Sequence, residues 1–373
     1  MGRFRVVIAG GGVAALEAAL ALRRLAEERV SIDLVAPEPR FWYRPLAVVE
    51  SFGRGRLHGL DLAELAAACG ALFVVDELFS VDADLRLATT KSGAELGYDA
   101  LLVATGAKPV EAVPGALTFR GPADVEAFSA LLDELRAGSL QRVAFVVPGG
   151  VAWPLPLYEL ALQTASAAPR AEVALVTNED EPLGLFGSAA SAAVAELLER
   201  RCIALRTATS AVSYRHGSLV VAPEEAIATD AVVALPRLTG LPIDGLPHDA
   251  HGFLPTDPSG RVRGLDGVFA AGDVTAFPVK QGGIAAQQAD AAAETIAAAA
   301  GAPIEPAPFR PVLRGLLVTG EAPTFLRVEL AGGSGDTSTA ADDALWWPPG
   351  KIAGRYLAPF LAERAETILA ATR

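Results

Sequence analysis

The chain is 373 residues long, which suits two or three domains rather than one compact unit. About half of it is apolar (51%) and only a fifth is charged (20%), so a large buried core is available. With 31 basic against 44 acidic residues the net charge is −13, and no Lys/Arg run carries interleaved aromatics, which argues against a nucleic-acid partner.

The chain opens on Met1-Gly2-Arg3 and runs straight into an apolar strand pattern, Phe4 to Ala9, leaving no room for a signal peptide. A Gly-rich turn, a helix over about 13–26 and a strand over 30–35 complete a βαβ unit. The turn, Gly10-Gly11-Gly12-Val13-Ala14-Ala15, fits G-x-G-x-x-A. Gly10 permits the tight turn, Gly12 lets a pyrophosphate approach the backbone, and Ala15 keeps helix and strand close. The ribose-binding acid expected at the end of the second strand is replaced by Ala36, and Glu38, two residues on, is the nearest candidate. A Pro/aromatic run then follows, from Pro39 through Phe41, Trp42, Tyr43 and Pro45 to Leu46.

Next come a helix near 61–69, strands at 71–76 and 78–83, a hairpin around Lys91-Ser92-Gly93, and a buried strand from Leu101 to Ala104 that ends in Thr105-Gly106. The segment 109–122, with Pro109, Pro114 and Pro122, reads as a linker. A helix at 123–136 leads to a second βαβ unit: strand 142–147, a turn, a helix from about 155 and strand 172–177. A helix at 188–200 and strands near 203–206, 210–214, 218–222 and 231–235 finish this half. The apolar strand Gly267 to Ala271 ends in Gly272-Asp273, an acid placed to accept from a ribityl hydroxyl, and a long helix begins near Gly283. The tail from about 308 carries strand-like segments and a small polar loop, Gly332 to Asp343. In its end, Ile352, Tyr356 and Phe360 lie four apart and are flanked by Lys351 and Arg355. That spacing fits an interfacial membrane anchor, and it equally fits an aromatic tail packed on the protein's own core or a homodimer contact.

Taken together, the Gly10–Ala15 turn, the Ala104-Thr105-Gly106 strand end and the Gly272-Asp273 strand end resemble the two-dinucleotide-binding-domain flavoproteins. This is the FAD-dependent pyridine nucleotide-disulfide oxidoreductase superfamily, and the nearest resemblance is to its sulfide:quinone oxidoreductase and type II NADH dehydrogenase group. The likeness covers about 1–310 and implies an α/β fold of two Rossmann-like FAD/NAD(P)-binding domains, the second inserted in the first. The expected division is an FAD domain at 1–115 and 240–307, an NAD(P)-like domain at 116–239 and a C-terminal region at 308–373. The resemblance implies FAD held by Gly10, Gly12, Ala15, Thr105, Gly106, Gly272 and Asp273, with Glu38, Pro45, Gln281 and Gly282 as further contacts. At the reacting end it places Lys280 against the flavin or a quinone head, with Tyr43, Pro45 and Trp153 walling the ring. Gln287 and Gln288, one turn into the long helix, are candidates for the same pocket.

The second turn departs from the family pattern. Pro148 takes the first glycine position, Gly150 the second and Trp153 the third, while Pro154 and Pro156 remove N–H donors where phosphate oxygens would seek them. Ordinary NAD(P)H binding is therefore not expected. The loop ending Pro156, Tyr158, Glu159 resembles that of sulfide:quinone oxidoreductases, in which a redox cysteine occupies the position of Trp153. Cys69 and Cys202 read as small buried hydrophobes, and no cysteine follows them, so no disulfide relay is expected. His58, His216, His248 and His251 are scattered over loops with no nucleophile beside them. The leading expectation is an FAD-dependent oxidoreductase passing electrons to a quinone or another small acceptor, cytoplasmic or peripheral to the inner face of the membrane. An NAD(P)H dehydrogenase and a non-catalytic flavin-binding scaffold stay open as alternatives.

Overall fold

A computed structural model describes residues 2–55, 59–222, 225–330 and 337–364. His58 and residues 332–336 of the expected polar loop lie outside them.

Two five-stranded parallel sheets organise the chain. In the first, Phe4–Ala9 pairs with Val30–Ala36 on one side and Ala100–Val103 on the other. Ala71–Val75 forms one edge and Val268–Ala270 the other. The last of these strands arrives only after the whole second sheet, whose members run from Leu117–Thr118 to Ala231–Ala234. The central strands are apolar on both faces: Val6, Ile8, Leu101, Leu102 and Val103 are all buried, as a parallel sheet covered by helices requires. Helix Val13–Ala26 covers one face against helix Gly282–Ala299. Both are rich in alanine, so their axes approach closely, and Gly272 enters the same contact with Ala14 and Ala285 beside it.

The segment expected as a linker does more than connect. Lys108–Val110 pairs antiparallel with Arg237–Thr239, and Leu117–Thr118 joins the second sheet. The polar loop holds a short strand, Thr339–Ala341, which extends the antiparallel sheet of Val312–Leu317 and Thr324–Glu329. Among the described residues no helix is long and apolar enough to cross a membrane.

The C-terminal segment corrects the single helical face expected from Ile352, Tyr356 and Phe360. The helix spans only Leu357–Arg364, and residues 350–356 form an irregular strap. Helix formation is deferred because the strap's own side chains are used in packing: Ile352 is buried against Gly282, and Lys351 is buried as well. Lys351 therefore does not flank an exposed anchor. The strap is tied to the first helix at Glu17, a fully buried carboxylate that accepts the N–H groups of Tyr356 and Leu357, both at 2.7 Å. Glu17 thus acts as the cap of the last helix from another element.

Glu17 also faces Asp290 of helix Gly282–Ala299. Burial, followed by the negative charge of Glu17, pushes the Asp290 carboxyl up to about 8, while Arg355 of the strap opposes the rise and Glu294 adds to it. Burial raises Glu17 too. Together the two buried carboxyls hold a proton to a higher pH than either would in water. Because the folded value lies above the ordinary 3.8, this contribution to stability is fully present below that value and is lost as pH rises toward about 8. Docking of Leu357–Arg364 is accordingly expected to weaken with rising pH. Hydrogen exchange of these amides, corrected for intrinsic rates, is the measurement. Equal protection at about pH 6 and about pH 9 would show that no such proton is held, and Asp290→Asn, which keeps a donor toward Glu17, is expected to abolish the dependence.

Candidate functional site

The first parallel sheet delivers three turns to one edge, where its strands end. At the first, Gly10 has φ +135° and its N–H donates to the Val35 carbonyl at 2.7 Å. A Cβ on Gly10 would lie 2.1 Å from the Ala104 carbonyl oxygen, and one on Gly11 would lie 2.6 Å from a Leu62 methyl. Gly12 differs from both. Its backbone is extended (φ −93°, ψ −165°), and a Cβ there would meet nothing within 4 Å. Space is therefore held open beside Gly12, at the start of helix Val13–Ala26. Leu16 makes the first intrahelical bond, to the Gly12 carbonyl at 3.1 Å, and no side chain caps the helix. Among the described residues the N–H groups of Val13, Ala14 and Ala15 have no hydrogen-bond partner, which leaves this helix start able to receive an anion. Ala15 is wholly buried under this turn, against the sheet.

At the second turn, Thr105 and Gly106 follow strand Ala100–Val103. The Thr105 hydroxyl is buried with no hydrogen-bond partner, and Gly106, at φ +78°, faces open space. At the third, Gly272 has φ +84° and Asp273 follows it. The Asp273 carboxylate accepts no hydrogen bond from the described residues. Burial raises it above the usual carboxylate range, with Lys280 and Arg44 pulling the other way. An orphaned buried hydroxyl, an unpartnered carboxylate and three free helical N–H groups meeting at one open edge fit a bound FAD: pyrophosphate at the helix, ribityl hydroxyls at the acid.

The remaining expected contacts divide. Pro45 opens a short 3-10 turn, Arg44–Leu46, and stands half-buried. Glu38 is exposed and accepts no hydrogen bond from the described residues. Gln281 caps helix Gly282–Ala299: its side-chain oxygen accepts the Ile284 N–H at 2.8 Å, and its amide donates to the Arg314 carbonyl at 3.0 Å. That side chain is occupied, so the N–H groups of Gly282 and Gly283 are what the helix start has to offer. Gln287 is bonded to Val312 on strand Val312–Leu317.

Lys280 is buried. Its ammonium donates to the Thr275 carbonyl and lies 3.8 Å from the centre of the Phe253 ring. Burial brings its pKa down to about 8, against the opposing charges of Asp273 and Asp249. Tyr43 is buried as well, its hydroxyl accepting the Ile352 N–H at 3.0 Å from the strap, and burial raises its pKa. Trp153 packs on Phe186, with ring centres 5.8 Å apart and planes tilted by 58°.

At the corresponding edge of the second sheet the turn is braced by the chain's own groups. Arg237 donates to the Gly149 carbonyl at 2.7 Å and lies along Gly150. Helix Leu155–Ala167 starts on Pro154, to whose carbonyl the Leu157 N–H is bonded at 3.0 Å, and Pro156 has no N–H to give. Glu179, just past strand Glu172–Thr177, accepts from the Tyr158 hydroxyl at 2.7 Å and the Thr177 hydroxyl at 2.8 Å. Sequence reasoning passed over Glu179, Arg237, Gln288 as a turn brace and Glu17. The acid just after the second strand of the second unit was the signal available for Glu179.

The two cysteines stand in different surroundings. Cys69 is buried and its thiol is pushed up to about 11 by burial. Cys202 is exposed, contrary to the expectation of a buried residue, because the chain turns there at φ +54° after helix Ser188–Arg200.

Comparison with known proteins gives consistent matches. The model of the pyridine nucleotide-disulphide oxidoreductase family matches residues 4–294. An NADH dehydrogenase-like protein of Mycobacterium tuberculosis is 29% identical over 299 residues, 73% of each chain. The sulfide-quinone reductase of Aquifex aeolicus is 31% identical over 206 residues, 52% of this chain and 47% of that one. Among solved structures, the sulfide:quinone oxidoreductase of Aquifex aeolicus superposes with a TM-score of 0.81 at 21% identity, covering 91% of this chain and 87% of its own. A ferredoxin reductase of Rhodopseudomonas palustris follows at 0.67 and 19%, covering 88% and 83%. At these identities the structural likeness speaks for the fold alone.

Proposed function

The chain belongs to the pyridine nucleotide-disulphide oxidoreductase family, and from that premise we propose that it is an FAD-dependent oxidoreductase whose acceptor is a quinone or similar small molecule and whose second fold takes no NAD(P)H. FAD is the cofactor. When bound, it supplies a carrier that accepts two electrons from a donor and passes them to an acceptor. The protein's part is to hold and polarise. The N–H groups of Val13, Ala14 and Ala15 would hold the pyrophosphate, Asp273 would fix the ribityl chain, and Thr105 and Gly106 would lie beside it. The start of helix Gly282–Ala299 offers two N–H groups and its positive end, which would favour negative charge on a bound flavin. Lys280 adds positive charge from the Thr275 side, while Tyr43, Pro45 and Trp153 keep water from the ring. The FAD fold is assigned to 1–115 and 240–307 and the second fold to 116–239.

The observation that carries the proposal is the state of the second turn. Arg237 is bonded to Gly149, Pro156 has replaced a donor, and Glu179 is held by Tyr158 and Thr177. A pyridine dinucleotide would have to compete with these bonds at Gly149 and Glu179 and would find no N–H at Pro156. The burial and raised pKa of Cys69 support electron transfer without a thiolate relay, since the thiolate is the reactive form. Similarity to the sulfide-quinone reductase supports a quinone as acceptor, and peripheral membrane contact would bring the site to it. A second reading, an NAD(P)H dehydrogenase, is favoured by the 29% identity to an NADH dehydrogenase-like protein.

Anaerobic stopped-flow mixing separates the two. Neither NADH nor NADPH at micromolar concentration is expected to bleach the flavin within seconds, whereas chemically reduced enzyme is expected to be reoxidised rapidly by a short-chain quinone. Fast bleaching by either nucleotide decides for the dehydrogenase.

A further inference from the structure

Strand Val268–Ala270 makes its last ladder bond one residue beyond its end, where the Ala271 N–H donates to Val103 at 3.1 Å. The next N–H, that of Gly272, is buried and beyond the reach of the sheet. It donates instead to the side-chain oxygen of Gln288, 2.8 Å away on helix Gly282–Ala299. The Gln288 amide nitrogen reaches the Thr275 hydroxyl at 3.2 Å, and that hydroxyl donates back to the Gly272 carbonyl at 2.9 Å. The Thr275 N–H also donates to Gly272, at 3.1 Å, and the Lys280 ammonium donates to the Thr275 carbonyl. Every polar group on the inner side of the turn is thereby used. Those on the outer side, the Asp273 carboxylate and the N–H groups of Asp273 and Val274, have no hydrogen-bond partner among the described residues.

We propose that Gln288 is a positioning residue for FAD, clamping the inner side of the Gly272–Thr275 turn so that Asp273 presents its carboxylate to the cofactor's stem. This rests on the reading of Asp273 as an FAD contact. The physical argument is one of alternatives. Gly272 is pressed between two helices, its Cβ position 3.2 Å from Ala14 and 3.5 Å from Ala285, so the turn cannot move aside to find water. Without Gln288 its N–H would have to rotate outward, and Asp273 would turn with it. A buried glutamine bonded to both ends of one turn is a fully satisfied network, the kind that fixes a single conformation.

The experiment measures FAD affinity by quenching of flavin fluorescence on titration into protein stripped of FAD, with the melting temperature of the stripped protein as a control. Asp273→Asn and Gln288→Met are each expected to weaken FAD binding by about tenfold, the consequence of losing one hydrogen bond to a charged or buried group. The double variant is expected to bind no more weakly than Asp273→Asn alone, within about twofold. An effect of Gln288 on FAD binding that is independent of Asp273 gives the product of the two losses, about 100-fold, and overturns the proposal; a role in stability alone leaves the affinity of Gln288→Met unchanged and overturns it as well. Should Gln288→Met fail to fold, Thr275→Val replaces it, with a smaller loss and the same lack of further effect in the Asp273→Asn background. Wild-type protein that takes up no FAD removes the underlying reading instead, and the proposal with it.

Discussion

Gly12→Val is expected to give a protein that folds and melts close to the wild type but is colourless. The three glycines of the first turn are set apart by geometry. Gly10 and Gly11 are required by the chain itself, because a Cβ on either would run into Ala104 or Leu62. Gly12 has an extended backbone open to any residue and empty space where its Cβ would be. A valine there costs no more than about 1 kcal/mol as a poor helix cap. Its methyls would occupy the space that the pyrophosphate needs and screen the N–H groups of Val13 and Ala14. Losing two charge-assisted hydrogen bonds weakens FAD binding by at least ~100-fold. Gly10→Val, in contrast, is expected to lower stability and FAD content together. Visible absorbance per mole of protein, read beside thermal melting, checks both. A yellow Gly12→Val protein would remove the pyrophosphate from this turn.

Much of the framework of both parallel sheets was legible because its signals are local. Val13–Ala26, Arg142–Val147, Glu172–Thr177 and Ser188–Arg200 appear where apolar periodicity and flanking Gly and Pro put them. The three strand ends were legible for the same reason: each is written within a few consecutive residues, and all three belong to one sheet. What could not be read is what depends on distant partners. A four-residue spacing at Ile352, Tyr356 and Phe360 fits a helix on paper. It gives no sign that Ile352 packs on Gly282 or that Glu17, more than 300 positions away, caps the chain only at Tyr356. Arg237–Thr239 is too short to carry a period, and its pairing with Lys108–Val110 turned an expected linker into a strand. Gln288 reads as one more polar residue on an alanine-rich helix until the fold brings Gly272 to it.

Lys351→Met is expected to destabilise the protein by about 3–5 kcal/mol, the cost of leaving a buried charge without its partner. Lys351 is 192 positions from Glu159, yet its ammonium donates to the Glu159 carboxylate, and both side chains are almost fully buried. The Val318 N–H, 2.8 Å from the same oxygen, would be the carboxylate's only remaining donor. Burial raises the Glu159 carboxyl and Lys351 holds it down, so without the lysine Glu159 is expected to keep a proton and the variant to lose stability as pH rises. Glu159→Leu alone strands the lysine and is expected to cost a similar amount. Replacing both with apolar residues of similar size is expected to restore most of the loss, because the pair's attraction largely offsets its own desolvation. Chemical denaturation of the two single variants and the double variant closes the cycle, and additive losses would rule out the pairing. The consequence for the site follows from the strap's other tether. Lys351 precedes Ile352, whose N–H is bonded to the Tyr43 hydroxyl. The pair therefore joins the second fold to the wall proposed for the flavin. Under this arrangement Lys351→Met should raise solvent access to the bound flavin, measured by iodide quenching of its fluorescence, while Glu159→Leu/Lys351→Met should return it to the wild-type level.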